Sequence, residues 1–95
     1  MVVGMMELHL ALYDNDSLKA KRSVVKRVIH RTRNRFNVSA AEVEGQDALD
    51  RAIIAVATVG SDVRYIDGLL SRVEQYVEQL ALADLLDAPR VIEHY

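Results

Sequence analysis

The 95-residue chain contains no cysteine and no tryptophan, and it has one proline and one phenylalanine. Without thiols it can build no disulfide framework, no thiolate metal site and no cysteine nucleophile. Long hydrophobic runs are missing too: Ala52–Val59 is the longest predominantly apolar stretch, far short of the roughly 20 residues that cross a bilayer as a helix. The opening residues, Met-Val-Val-Gly-Met-Met-Glu, lack the basic region that begins a secretory signal. A soluble cytoplasmic protein with no membrane partner is the expectation. GxSxG, GxGxxG, HExxH and P-loop patterns are absent as well, so no residue is singled out as catalytic, none as a metal ligand, and no cofactor is expected.

One sign of charge is missing from a single long stretch. Between Ser17 and Phe36 there is no Asp or Glu, while eight of the twelve Lys and Arg residues fall there. The formal net charge of −2 therefore divides into +8 on this stretch and −10 on the remainder, where four cations stand against all fourteen acids. Such a division says little about the fold, but it draws polyanions to one face and repels them from the others. The apolar fraction of 51% is at the upper end for a soluble domain, enough for a generous core with apolar surface left for a partner. A chain of this length buries on the order of 60–65% of its unfolded surface, and residues 1–95 read as a single domain.

Hydrophobic periodicity orders the chain as β-α-β-β-α-β. From Val2 to Tyr13, Met6, Leu8, Leu10 and Leu12 alternate with Glu7, His9, Ala11 and Tyr13, the period of a strand. Asp14-Asn15-Asp16-Ser17 is a turn ending in an N-cap, since short oxygen-bearing side chains accept from the free amides of a first helical turn. Leu18, Val25, Val28, Ile29, Thr32 and Phe36 then share one helical arc, with Asn37 as the stop. Phe36 closes that arc and is expected to be buried. Val38–Glu44 alternates like a short edge strand, and Arg51–Val59, apolar on both sides, suits a central one. Beyond Gly60-Ser61-Asp62, the stripe Val63, Ile66, Leu70, Val73, Val77, Leu80 marks a second helix. Pro89 interrupts Ala83–Tyr95, and a residue without an N–H confines that last strand to an edge. The economical packing is an α+β, ferredoxin-like βαββαβ fold, a four-stranded antiparallel sheet with two helices on one face and the first and third strands central.

The open side of that sheet would carry Val3, Met5, Glu7 and His9 together with half of Ile53-Ile54-Ala55-Val56-Ala57. That surface is greasier than water favours, so a homodimer packed through the sheet face or an edge is expected. The third strand presents no aromatic ring for stacking bases, which excludes single-strand reading in the manner of an RNA-recognition motif. The basic stretch points elsewhere. At about 100° per residue, Lys19, Arg22, Lys26, His30 and Arg33 fall on one flank of the first helix within an arc of roughly 80°. Arg27, Arg31 and Arg35 widen it toward solvent. A line of cations suits a phosphate backbone, whereas an ordinary solvated face would mix signs and gain i,i+4 pairs.

Lys21 projects into the apolar arc, where it must snorkel past the first turn or meet a carboxylate at the end of the sheet. An anion bound at the helix start would be its functional use. The candidate nucleic-acid-binding set is then Lys19, Lys21, Arg22, Lys26, Arg27, Arg33 and Arg35. Glu7 and His9 share a strand face and could form an acid–base pair or two metal ligands, without an identifiable third.

The runs Ser-Leu-Lys-Ala-Lys-Arg (Ser17–Arg22), Arg-Asn-Arg-Phe-Asn-Val-Ser-Ala-Ala-Glu-Val (Arg33–Val43), Gln46-Asp47 and Arg51-Ala52, in that order, resemble the YlxP-like family of small bacterial proteins of unknown function. The resemblance extends from Val2 to about Leu86. It implies a ferredoxin-like fold, attaches no catalytic role to any of these residues, and brings gene neighbours that encode translation initiation factor two and ribosome-binding factor A. The chain departs from the family pattern at Ala48-Leu49, where relatives often carry a bulky aromatic, and at Ala55, where glycine is common. The expected function is non-enzymatic docking of the basic first helix on RNA or a ribosomal particle, in ribosome maturation or translation. A dimeric adaptor for an acidic protein, and a small-ligand binder or enzyme at the open sheet around Glu7 and His9, are the alternatives.

Overall fold

In the computed structural model, which describes residues 1–95, the alternating N-terminal segment forms β1 (Val2–Ala11), and the chain continues as α1 (Leu18–Arg35), β2 (Ser39–Glu44), β3 (Arg51–Gly60), α2 (Val63–Leu80), β4 (Asp84–Asp87) and β5 (Arg90–His94). β1 is central. It pairs antiparallel with β3 along its whole length, from Val2 opposite Gly60 to Ala11 opposite Arg51. Its other side takes β5, Val2 opposite His94 through Met6 opposite Arg90, and then β4 beside His9–Ala11. β2 lies outside β3. This is the expected ferredoxin-like sheet, with β1 and β3 in the middle.

The break anticipated at Pro89 divides the last strand into two pieces. Proline gives the ladder no N–H, yet its carbonyl accepts from the Glu7 amide at 2.9 Å, so pairing to β1 spans the gap. β1 ends at Ala11 rather than Tyr13 because Asp14 turns the chain at φ 61. Ser17 caps α1 by accepting from the Ala20 amide at 3.1 Å, and Asp62 caps α2 through the Arg64 amide at 3.3 Å.

Both helices lie on one side of the sheet. Val2, Met6, Leu8, Leu10 and Leu12 meet Ala52, Ile54 and Val56 of β3, Val25 and Val28 of α1, and Ile66, Leu70, Val73 and Val77 of α2 in one core. The alternation of β1 and β3 therefore chooses the covered face, and the 3-4 stripe of α2 seals it. At Gly4 a Cβ would stand 2.4 Å from the Ile66 Cγ2 atom, so α2 approaches β1 more closely than any side chain there would permit. Neither helix is long and apolar enough to cross a membrane. The full burial expected of Phe36 is corrected: it caps the end of α1, half-buried, with its ring edge-on to Tyr76 of α2 at 5.5 Å.

Candidate nucleic-acid interface

α1 is built as a two-sided element. Lys21, Val25, Val28 and Thr32 are its buried residues, and every other Lys and Arg of the helix is exposed: Lys19, Arg22, Lys26, Arg27, Arg31, Arg33 and Arg35. None of these seven lies within 4.0 Å of a carboxylate; the ion pairs of the molecule involve only His9, Lys21 and Arg90 as the cationic partners. With 18 residues the helix is about 27 Å long; Lys19, Arg22, Lys26, His30 and Arg33 follow one another about every 4.5–6 Å along one flank, and Arg27, Arg31 and Arg35 widen that row toward solvent. No acidic residue occupies the first turn, although the positive end of a helix dipole favours one, and Lys19 and Arg22 stand near that end.

The structure groups the exposed cations in two places. Lys26, Arg27, His30 and Arg31 surround Ser23 in a shallow depression of about 290 Å³ on the outer side of the helix. Farther along, His30, Arg33 and Asn34 border a groove of about 420 Å³ that runs past Phe36 and Asn37 to Val38. Arg35 turns toward α2, its guanidinium carbon 5.6 Å from the centre of the Tyr76 ring. That contact stiffens a long side chain while leaving its charge at the surface. No local pattern marks Tyr76 or Asn34; Tyr76 lies three residues past Val73 on the stripe's edge, and only the crossing of the two helices brings it to Arg35.

Lys21 does not belong to this surface. It is fully buried, and its Nζ donates to Glu42 Oε2 at 2.5 Å and to the Gly45 carbonyl at 2.8 Å. Of the two ways out that its position on the apolar arc allowed, it takes the carboxylate, which β2 supplies from the helix-facing row. A phosphate cannot reach it, and its place in the candidate set is withdrawn. Its role is structural: it ties the start of α1 to the bulged end of β2 and to Gly45, whose φ of 84 requires a residue without a Cβ.

On the open side of the sheet Glu7 and His9 meet at 2.9 Å. No group of three or more His, Cys, Asp or Glu side chains is placed to hold a metal ion. The Tyr95 hydroxyl donates to Glu93, and that hydrogen bond, followed by the charge of the carboxylate and by desolvation, raises its pKa above the ordinary 10.0. It remains protonated at neutral pH.

Residues 3–90 match the family described as a protein of unknown function, DUF503. The uncharacterized protein YlxP of Bacillus subtilis (strain 168) is 36% identical over 77 residues, covering 81% of this chain and 84% of that protein. Among solved structures, a de novo designed protein with ferredoxin fold, LFR1 1, superposes with a TM-score of 0.56 at 13% identity, over 100% of this chain and 87% of the design. SnoaB, a cofactor-independent oxygenase from Streptomyces nogalater, superposes with a TM-score of 0.50 at 9% identity, over 99% and 92% of the two chains. Both likenesses are of fold alone.

Proposed function

Because the chain belongs to the DUF503 family, whose function is unknown, its activity has to be read from its own surface, and we propose that it is a non-enzymatic RNA-binding protein that lays α1 against the sugar-phosphate backbone of structured RNA. One observation carries the reading: seven exposed cations on one helix, none answered by a carboxylate. A linear array of unpaired charges gains most from a partner whose own charges repeat along a line. An acidic protein would instead concentrate binding in one or two anchored side chains. A membrane surface fits poorly, since a basic amphipathic helix binds lipid by inserting its apolar side, and here that side is inside the core. The gene neighbours implied by the YlxP-like resemblance favour ribosomal RNA as the target, in ribosome maturation or translation.

The test is the salt dependence of binding to a structured ribosomal RNA fragment. Each of Lys19→Ala, Arg22→Ala, Lys26→Ala and Arg33→Ala should weaken binding to a similar degree whatever the sequence, and lower the slope of log K against log salt by about 0.9. A quadruple variant that stays folded and binds as tightly as the parent at low salt would remove the reading.

A further inference from the structure

We propose that the open face of the sheet is the interface of a homodimer, packed sheet on sheet, which leaves the two α1 helices on opposite outer surfaces. Met5, Val59 and Val91 on this face are 40%, 61% and 52% exposed. A groove of about 530 Å³ runs over Met5, Glu7, Ala55 and Ala57, with Pro89 and Val91 as its wall. Glu7 and His9 lie at the centre of the face, hydrogen-bonded to each other at 2.9 Å, and Glu44, Arg51, Asp87 and Glu93 stand around its margin. A face with an apolar centre, one internally hydrogen-bonded carboxylate and its remaining charges at the rim matches neither a polyanion nor an acidic protein. It matches a second copy of itself, as a two-fold interface requires.

Edge-to-edge pairing is blocked on both sides. The outer edge of β2 is interrupted by the register shift between Glu42 and Glu44, and the opposite edge is broken at Pro89 and flanked by Asp84 and Asp87. Bulges, charges and proline are the devices that keep exposed strands from pairing. Those devices guard the edges, whereas the middle of the face, around Met5, Ala55, Ala57 and Val91, is apolar. The area of the face is sufficient: ten residues each in β1 and β3, six in β2 and nine in β4 and β5 together, at about 3.3 Å per residue and about 4.8 Å between strands, make roughly 550 Å² per copy. Two copies then bury about 1,100 Å², above the roughly 1,000 Å² that a specific interface should clear.

Stacked sheets about 10 Å apart, each backed by its helices, set the two basic helices on the order of 30 Å apart. Such a dimer could grip two segments of one RNA, a consequence that rests on the function proposed above, whereas the dimer itself does not.

Sedimentation equilibrium at micromolar concentration should give twice the 10.7 kDa of the chain. Ala57→Glu, which sets a carboxylate opposite Met5, should yield the monomer with an unchanged far-ultraviolet spectrum, and Met5→Glu should do the same. A parent that sediments as a monomer throughout, or a dimer that survives both substitutions, overturns the proposal. RNA binding separates the two inferences. A monomeric parent that still binds RNA leaves the α1 reading standing alone, and a dimer without RNA affinity leaves the interface standing alone. With both in place, the monomeric variant should keep its affinity for a short duplex and bind long RNA about tenfold to a hundredfold more weakly, through lost avidity.

Discussion

Lys21 shows how far a single residue can be followed from sequence. Its helical projection places it on the apolar arc, and the need for a carboxylate follows from the cost of burying a charge. That the carboxylate would be Glu42 depends on the register of β2, an edge strand with a bulge, and no local pattern encodes it. Removing one partner of a buried pair costs about 3–5 kcal/mol, and the Glu42 side chain keeps 15% exposure, enough for water to reach it. Lys21→Ala is therefore expected near the lower end, about 3 kcal/mol by urea denaturation, against less than ~0.5 kcal/mol for Lys19→Ala on the surface. Equal losses at the two positions would contradict the separation of structural from free lysines. Thr32 makes the opposite case. Its hydroxyl is buried with no hydrogen-bond partner, so Thr32→Val, which removes the polar atom and keeps the branch, should stabilise the protein by roughly 1 kcal/mol. A loss of stability on that substitution would mean that the hydroxyl finds a partner in solution.

At the level of elements the periodicities carried most of the information. α2 runs from Val63 to Leu80 as its stripe indicates, and β3 sits in the centre because both of its sides are apolar. What the patterns could not supply were contacts between elements. Leu69 is buried beside the stripe, Val63 at its head is exposed, and Phe36 packs only partly buried against the rim of the core, its ring edge-on to Tyr76. Truncating a fully buried phenylalanine costs about 3–5 kcal/mol, and half-burial brings the expectation for Phe36→Ala down to roughly 2 kcal/mol. Gly68 lies inside α2, and a Cβ there would meet only the flexible end of Arg72 at 3.4 Å. Gly68→Ala should accordingly raise the stability by about 1 kcal/mol, the difference in helix propensity. A melting temperature that falls would reveal a contact at Gly68 that the helix cannot give up.

For the whole molecule, the decisive quantity is the distribution of charge rather than its sum. The sum, −2, and the separation into basic and acidic parts were both legible in the sequence; which cations would remain free was not, since that depended on the burial of Lys21 and on Asp67 and Glu74 being held by Arg90. Segregation of this kind predicts behaviour that net charge alone would forbid. A protein with a sequence pI near 5.9 and evenly mixed charges should pass through a sulfated polyanion resin at pH 7.5. This chain should be retained at low salt, because α1 presents seven exposed cations with no acidic residue among them, and a local field of one sign binds a polyanion whatever the net charge. Retention should fall steeply with ionic strength as the Debye length shortens below about 10 Å. Replacing Lys19, Arg22, Lys26 and Arg33 by alanine should abolish retention while the fold is kept, and replacing Arg51, Arg64 and Arg72, which lie outside α1, should change it little. If the two sets of substitutions shift elution equally, the molecule responds to its overall charge, and α1 is not the face that polyanions find.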